Sequence, residues 1–416
     1  MEELQRAWDA GDAILPVDLR LAPPARRRLL EALRPAVLIS GNSERSAGAG
    51  VEVGPAGRRA DDLADPLPVE DGDALVMATS GTTGEPKGVV LTHAAVAASA
   101  RATTHRLGVD SARDAWWACL PLSHVGGLSV VTRSLLRDVP CEVVDGFSVE
   151  GATAALDRGA TLTSLVPTTL RRLGGELGGR FRRIVLGGAA PPSGLAPNVV
   201  STYGMTETGS GVVYDGLPLE GVEVRISDGE VQLRGPMLLR AYRDGLDPKD
   251  TSGWLPTGDA GGIGGDGRLV VFGRLGELII TGGENVWPSA VEPLLRSHAQ
   301  VADAAVAGVP DPEWGARLVA YVVLSAPAGS GGGGSGSGGG GSASGGDGSG
   351  GGAAVGRDGG AEPAVLLSRL REIVSGELAG FAAPRELVVV AAIPRTALGK
   401  VRRSELGALE GPTASI

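Results

Sequence analysis

Apolar residues fall in short runs along this chain, and the segments between several of them carry helical spacing. The runs are AVLIS (36–40), ALVMATS (74–80), AWWACLPL (115–122), CEVVDG (141–146), TLTSLVP (161–167) and RIVLGGAA (183–190). Each is short enough for one strand, whereas HAAVAASARATTHRL (93–107) and EGATAALDRG (150–159) read as helices by propensity and apolar spacing. Strand, helix and strand in succession predict an α/β fold with a largely parallel sheet covered on both faces. From Gly221 the texture changes to short strands between Gly turns, VEVRISDGEVQLRG and then GDGRLVVFGRLGELIITGG, which reads as a smaller β-rich section followed by another α/β unit.

A stretch from Ala326 to about residue 363 is almost all Gly, Ser and Ala. It has too little apolar area to offset its ordering entropy, and it is expected to be a disordered surface loop. It interrupts an α/β pattern, and neither flank alone is long enough for a good core, so an insertion inside a C-terminal domain is favoured over a linker between two domains.

The length of 416 residues suits two or three domains. A net charge of −10 leaves no polyanion-binding footprint, so no nucleic-acid partner is expected and an anionic substrate needs local cations. Cys119 and Cys141 sit in apolar segments without a CxxC or Cys/His cluster and read as reduced, buried thiols, which fits a cytoplasmic protein. The N-terminus has early acids and no apolar h-region, and no run approaches the ~20 apolar residues of a membrane span, so no export signal and no stable membrane insertion are expected.

The densest chemistry is in MATSGTTGEPKGVVLTH, residues 77–93. Thr79, Ser80, Gly81, Thr82, Thr83, Gly84 and Lys87 supply backbone N–H groups, hydroxyls and an ammonium in a short loop after a strand, a grouping suited to a polyphosphate. It is not the GxxxxGK[ST] loop, because Lys87 follows Pro86 and precedes Gly88.

The order SGTTGEPKGV resembles the nucleotide-loop signature of the adenylate-forming superfamily of acyl-CoA synthetases, peptide-synthetase adenylation domains and luciferases. Further motifs of that superfamily follow in order. LGGAAPPSG resembles the loop that packs on adenine, with Gly187, Gly188, Ala189 and Ala190. STYGMTETG resembles the segment in which Tyr203, beside Gly204 and Met205, stacks on adenine, Thr206 meets the phosphate and Glu207 helps to hold Mg²⁺. The resemblance places Asp259 of GWLPTGDAG and Arg274 of FGRLGELIITGG at the ribose, and Gly283 and Glu284 of TGGENVWP in the loop lining a pantetheine tunnel. PRTALGK ends in Lys400, which matches the mobile catalytic lysine. The fold implied is a large N-terminal domain of stacked α/β layers with a β-rich section, residues 1–274, and a small mobile α+β C-terminal domain, residues 275–416. The cofactors implied are ATP, Mg²⁺ and coenzyme A as co-substrate, and the superfamily carries an expectation of a homodimer.

Two departures stand out. Where the superfamily commonly has Asp or Lys at the hinge this chain has Gly276 followed by Glu277, and in LLRAYRDG Ala241 replaces the usual glycine before Tyr242, so that the loop there is expected to bend differently.

The short region before the phosphate loop, together with CLPLSHVGGLSVVTRSLL and GMTETGSGVVYDGLPLEGVEV, resembles the o-succinylbenzoate-CoA ligases of bacterial menaquinone synthesis. Such an aromatic dicarboxylate needs a cation for the carboxylate that is not activated. Arg133, read as lying near a helix start after SHVGG, is the candidate, against an ordinary solvated helix residue; Arg137 reads as surface. By resemblance His124 lines or gates the acyl pocket, and Ser164, Thr168, Gly209 and Ser210 shape it. His93 is expected to cap or orient the following helix, and His105 and His298 read as surface. Trp116, Trp117 and Trp254 read as core; Trp287 stays open between core and ligand platform. The alternatives are a synthetase for another aryl or short acyl carboxylate, a carrier-dependent amino-acid adenylation enzyme, for which the Asp that holds an α-amine is missing after SHVGG, and a non-enzymatic nucleotide-binding paralogue.

Overall fold

The computed structural model describes residues 1–35, 67–80, 86–192, 194–325, 363–395 and 401–416. The AVLIS run, residues 81–85 of the phosphate loop, the Gly/Ser-rich stretch and Lys400 lie outside the described residues. The chain divides into two compact units, Met1–Leu275 and Gly276–Ile416.

The first unit is built on a seven-stranded sheet in the order Cys141–Val143, Trp116–Ala118, Leu162–Leu165, Arg183–Leu186, Val199–Met205, Ser210–Tyr214, Leu217–Pro218. The first five strands are parallel, as the strand and helix alternation predicts, and the last two turn back antiparallel. Helices His93–Leu107, Val125–Arg137 and Val149–Asp157 match apolar segments of the sequence. Trp116 and Trp117 are fully buried in this core, and Trp254 is 8% exposed.

ALVMATS is not a member of the parallel sheet. Strand Asp73–Ser80 pairs antiparallel with Pro86–Thr92, and Ala241–Tyr242 extends the pair to three strands. The reason is length: five residues join the first two strands, and a parallel crossover needs a dozen or more. AWWACLPL also yields a shorter strand than its apolar run, because after Ala118 the chain turns toward a helix, with the His124 N–H bonded to the Pro121 carbonyl at 3.1 Å.

The β-rich section is a four-stranded antiparallel sheet, Glu223–Ser227, Glu230–Arg234, Leu255–Ile263 and Leu269–Arg274. Its first hairpin turns at Asp228-Gly229, φ 50° and 80°, and Tyr214 and Leu217 are joined in the same way by Asp215-Gly216, φ 49° and 78°. Both Asp-Gly pairs occupy the left-handed region that a two-residue hairpin matched to strand twist requires.

In the second unit a four-stranded sheet orders Val301–Asp311, Gly315–Leu324, Glu386–Val389 and Thr413–Ser415. Alternate residues face two cores. Ala304, Val306, Leu318, Ala320 and Leu387 pack with Val291, Leu295, Leu366, Leu370 and Val374 of helices Pro288–Arg296 and Pro363–Glu377, while Ala305, Val319, Tyr321 and Val388 pack with Leu406. Burial on both faces explains why VADAAVAGV and ARLVAYVVL lack a polar alternation.

Candidate active site

In the parallel part of the sheet, the connections after Ala118, Leu165, Leu186 and Met205 all leave from the carboxyl ends of their strands. Open α/β sheets bind ligands at this edge. His124, Thr168, Gly187 to Ala190 and Thr206 to Ser210 follow those strand ends, and Ser164 and Tyr203 lie within their last residues. Gly188, Ala189, Ala190 and Gly204 are exposed there, Thr168 is exposed, and Ser164 is buried.

Tyr203 closes a three-residue cluster. Its hydroxyl donates to Asp259 Oδ2 at 2.8 Å, and Arg274 Nε pairs with Asp259 Oδ1 at 2.9 Å. Asp259 and Arg274 face each other across an antiparallel pair, and Arg274 Nη1 also donates to the Thr257 carbonyl at 2.9 Å. Burial, then the Asp259 charge, pushes the Tyr203 phenol up, so it remains a donor at neutral pH.

Glu207 occupies the turn Thr206–Thr208. Its Oε1 accepts from the Tyr242 hydroxyl at 3.0 Å, and its carbonyl accepts from the Leu239 N–H at 2.7 Å. Lys87 Nζ lies 5.0 Å from the centroid of the Tyr242 ring. Thr79 stands opposite Lys87 in the strand pair, next to the last pair, Ser80 opposite Pro86. No local pattern in the sequence points to Tyr242 as a site residue. Ala241 and Tyr242 pair with Val90 and Val89 as a strand.

Arg133 is corrected in position. It is the ninth residue of helix Val125–Arg137 rather than near its start, and at 2% exposed it is not the ordinary solvated helix residue of the alternative reading; Arg137 is exposed as expected. Nη2 donates to Ser210 Oγ at 2.8 Å, while Nε and Nη1 have no hydrogen-bond partner, and no carboxylate among the described residues pairs with the guanidinium. Trp116, read as core, also lies beside it, its ring 5.9 Å from Cζ. Burial pushes the Arg133 pKa down. Ser99 of helix His93–Leu107 extends the polar cluster, its hydroxyl 3.4 Å from Ser210 Oγ, and Gly209, φ 68°, turns the chain ahead of it. An unpaired, fully buried cation is costly by itself, and a ligand anion would answer it.

His124 precedes the same helix. Its Nε2 is buried without a hydrogen-bond partner, 3.8 Å from an Asp18 carboxylate oxygen that Arg20 grips at 2.8 Å. Burial lowers the His124 pKa. Asp18 comes from an N-terminal segment with no motif to announce it. His93 does not cap helix His93–Leu107; Thr92 does, accepting from the Ala95 N–H at 3.1 Å, and the His93 ring meets Trp8 edge-on at 5.0 Å. Gly283 and Glu284 lie in the second unit, at the turn of hairpin Ile279–Thr281 and Glu284–Val286.

Among the described residues no cluster of three or more His, Cys, Asp or Glu forms a metal cage. Glu207 alone, with one oxygen engaged by Tyr242, suits Mg²⁺, which is commonly held by one or two carboxylates with nucleotide phosphates and water. No helix among the described residues is long and apolar enough to cross a membrane. Cys119 and Cys141 are free, and burial pushes the Cys119 thiol to about 12.

The AMP-binding enzyme family model matches residues 7–242, and the model of the AMP-binding enzyme C-terminal domain matches residues 290–331. The chain belongs to the AMP-binding enzymes. Among this family, a probable 2-succinylbenzoate–CoA ligase of Mycobacterium tuberculosis is 36% identical over 361 residues, covering 81% of this chain and 85% of that protein. A 2-succinylbenzoate–CoA ligase of Listeria monocytogenes is 32% identical, covering 80% of this chain and 69% of that one. The solved o-succinylbenzoate CoA synthetase of Bacillus subtilis with its acyl-adenylate intermediate superposes with a TM-score of 0.66 at 30% identity, covering 83% and 73% of the two chains. The same enzyme in complex with AMP gives 0.68 at 26% identity, covering 99% and 81%.

Proposed function

We propose that this protein is an AMP-forming 2-succinylbenzoate–CoA ligase (the acid is also called o-succinylbenzoate) acting in bacterial menaquinone synthesis. The observation that carries the choice of substrate is Arg133: a buried guanidinium with two unpartnered nitrogens and no counter-carboxylate. It answers the second carboxylate of a dicarboxylic acid, while the first reacts with ATP. Relatives and solved neighbours that carry this activity support the reading.

In the first half-reaction a carboxylate oxygen of the acid attacks the α-phosphorus of ATP. The bond from that phosphorus to the bridging oxygen breaks, and pyrophosphate leaves. Glu207, with the nucleotide phosphates, would hold Mg²⁺, and the ion would supply charge neutralisation on the phosphoryl oxygens. Thr79, Ser80, Gly81, Thr82, Thr83, Gly84, Lys87 and Thr206 donate to those oxygens, and Lys400 is the catalytic cation for the α-phosphate. Tyr203 stacks on adenine beside Gly187 to Ala190, Gly204 and Met205, and Asp259, oriented by Arg274, receives the ribose hydroxyls. His124, Ser164, Thr168, Gly209 and Ser210 border the acid. In the second half-reaction the sulfur of coenzyme A attacks the acyl carbon, and AMP departs with the oxygen that had joined them. Gly283 and Glu284 line the channel for the thiol. The enzyme works in the cytoplasm, as a homodimer.

The test is pyrophosphate release by the full chain with ATP and Mg²⁺, offering 2-succinylbenzoate beside benzoate, a medium-chain fatty acid and a set of amino acids, with and without coenzyme A. Release with the dicarboxylate alone, and thioester only with coenzyme A, is expected. Equal or better turnover of a monocarboxylate or an amino acid overturns the assignment.

A further inference from the structure

The segment carrying Tyr242 is hydrogen-bonded to two separate parts of the nucleotide site. On one side Tyr242 and Ala241 pair with Val89 and Val90, the strand that contains Lys87, and the Arg243 N–H donates to the Gly88 carbonyl at 2.6 Å. On the other, the Leu239 N–H donates to the Glu207 carbonyl at 2.7 Å. The Tyr242 backbone is therefore fixed against both residues before its side chain is considered. The side chain then contacts both: the hydroxyl donates to Glu207 Oε1 at 3.0 Å, and the ring takes the Lys87 ammonium at 5.0 Å from its centroid.

We infer that Tyr242 is a positioning residue of the nucleotide site, aiming one Glu207 oxygen at the metal and seating Lys87 for the phosphates. The inference rests on the ATP- and Mg²⁺-dependent reading above. A carboxylate with one oxygen committed to a phenol presents the other in a fixed direction. Lys87 and Glu207 carry opposite charges and share one aromatic neighbour, so the ring and hydroxyl also keep the two from neutralising each other. With the hydroxyl removed Glu207 loses its fixed direction toward the metal, while the ring still seats the Lys87 ammonium.

The experiment is calorimetric titration of the full chain with α,β-methylene-ATP across a range of Mg²⁺ concentrations, for wild type, Tyr242→Phe and Tyr242→Leu. The phenylalanine variant keeps the ring face and loses the hydroxyl, so the Mg²⁺ concentration at half-maximal enhancement of binding rises about tenfold while metal-free affinity is unchanged. The leucine variant loses about fivefold in metal-free affinity as well. A Mg²⁺ dependence of Tyr242→Phe that overlays wild type overturns the inference alone. A wild-type chain that binds the analogue with no Mg²⁺ dependence overturns the functional reading with it.

Discussion

Arg133 Nη2 donates to Ser210 Oγ at 2.8 Å, and among the described residues that hydroxyl is the one hydrogen-bond partner of a guanidinium that is 2% exposed. Two consequences of opposite sign follow for one substitution. Arg133→Met removes a cation that costs desolvation and gains no ion pair in the free enzyme, so the unliganded protein gains about 1 kcal/mol of stability. The same change removes the charge-assisted contacts of the second carboxylate, worth about 2 kcal/mol, or roughly 30-fold in KM for 2-succinylbenzoate, with KM for ATP unchanged. Thermal unfolding and steady-state kinetics check the pair; a loss of stability together with an unchanged KM for the acid removes the ligand role.

Asp259 organises two groups at once, and its removal disturbs both. Asp259→Asn breaks the 2.9 Å pair with Arg274 and weakens the Tyr203 contact, so affinity for ATP falls about tenfold or more. Tyr203→Phe loses one hydrogen bond and keeps the aromatic face, so its loss stays within about fivefold. Equilibrium binding of an ATP analogue to the two variants checks the order.

These clusters were unequally legible in the sequence. Tyr203, Glu207 and Asp259 stand in contiguous runs whose residue types already state a nucleotide chemistry. Tyr242 and Asp18 do not. Tyr242 reaches Glu207 across 35 residues through a strand pairing that no local pattern specifies, and Asp18 meets His124 through the packing of an N-terminal segment. The glycines of SHVGG read as a turn, which puts Arg133 near a helix start. Gly126 and Gly127 are instead inside the first turn of helix Val125–Arg137, and a Cβ on Gly127 would lie 2.4 Å from the Pro121 carbonyl oxygen. Glycine there permits close approach of two backbones, which sequence alone does not distinguish from a turn. The parallel order of the central sheet was legible because its strands and helices alternate; the Asp73–Ser80 strand was assigned to it by analogy with its neighbours, although five residues do not span a crossover.

The same close approach gives a prediction at Gly204. A Cβ there would sit 2.2 Å from the Ser210 carbonyl oxygen and 2.7 Å from Gly211 Cα, backbone atoms that do not swing aside. Gly204→Ala is expected to cost about 2 kcal/mol of stability and, by displacing Ser210, to raise KM for the acid. Denaturant unfolding with parallel kinetics tests both parts.

Asp114 ties together the amino ends of strands Trp116–Ala118, Leu162–Leu165 and Arg183–Leu186. It accepts from Arg182 Nε at 2.8 Å, Arg182 Nη2 at 2.6 Å, the Thr161 hydroxyl at 2.7 Å and the Asp110 N–H at 2.9 Å, with its side chain 3% exposed. Burial pushes its carboxyl up, but Arg182 and the other donors outweigh it, and the pKa is held below the ordinary carboxylate value. A depressed carboxylate contributes stability above the unfolded pKa of about 4 and loses it as pH falls through the folded value. Asp114→Ala is therefore expected to cost about 3 kcal/mol at neutral pH, and less as the pH is lowered, leaving a flatter acid limb of the stability profile. An acid limb identical to wild type contradicts the assignment.

The most direct measurement uses 2-succinylbenzoate labelled with ¹⁸O in both carboxylates, incubated with the enzyme, ATP, Mg²⁺ and coenzyme A, with the products read by mass spectrometry. Attack of the carboxylate on the α-phosphorus, followed by thiolysis at the acyl carbon, leaves one labelled oxygen in AMP for each thioester formed. Unlabelled AMP, or ADP and phosphate in place of AMP and pyrophosphate, contradicts the account.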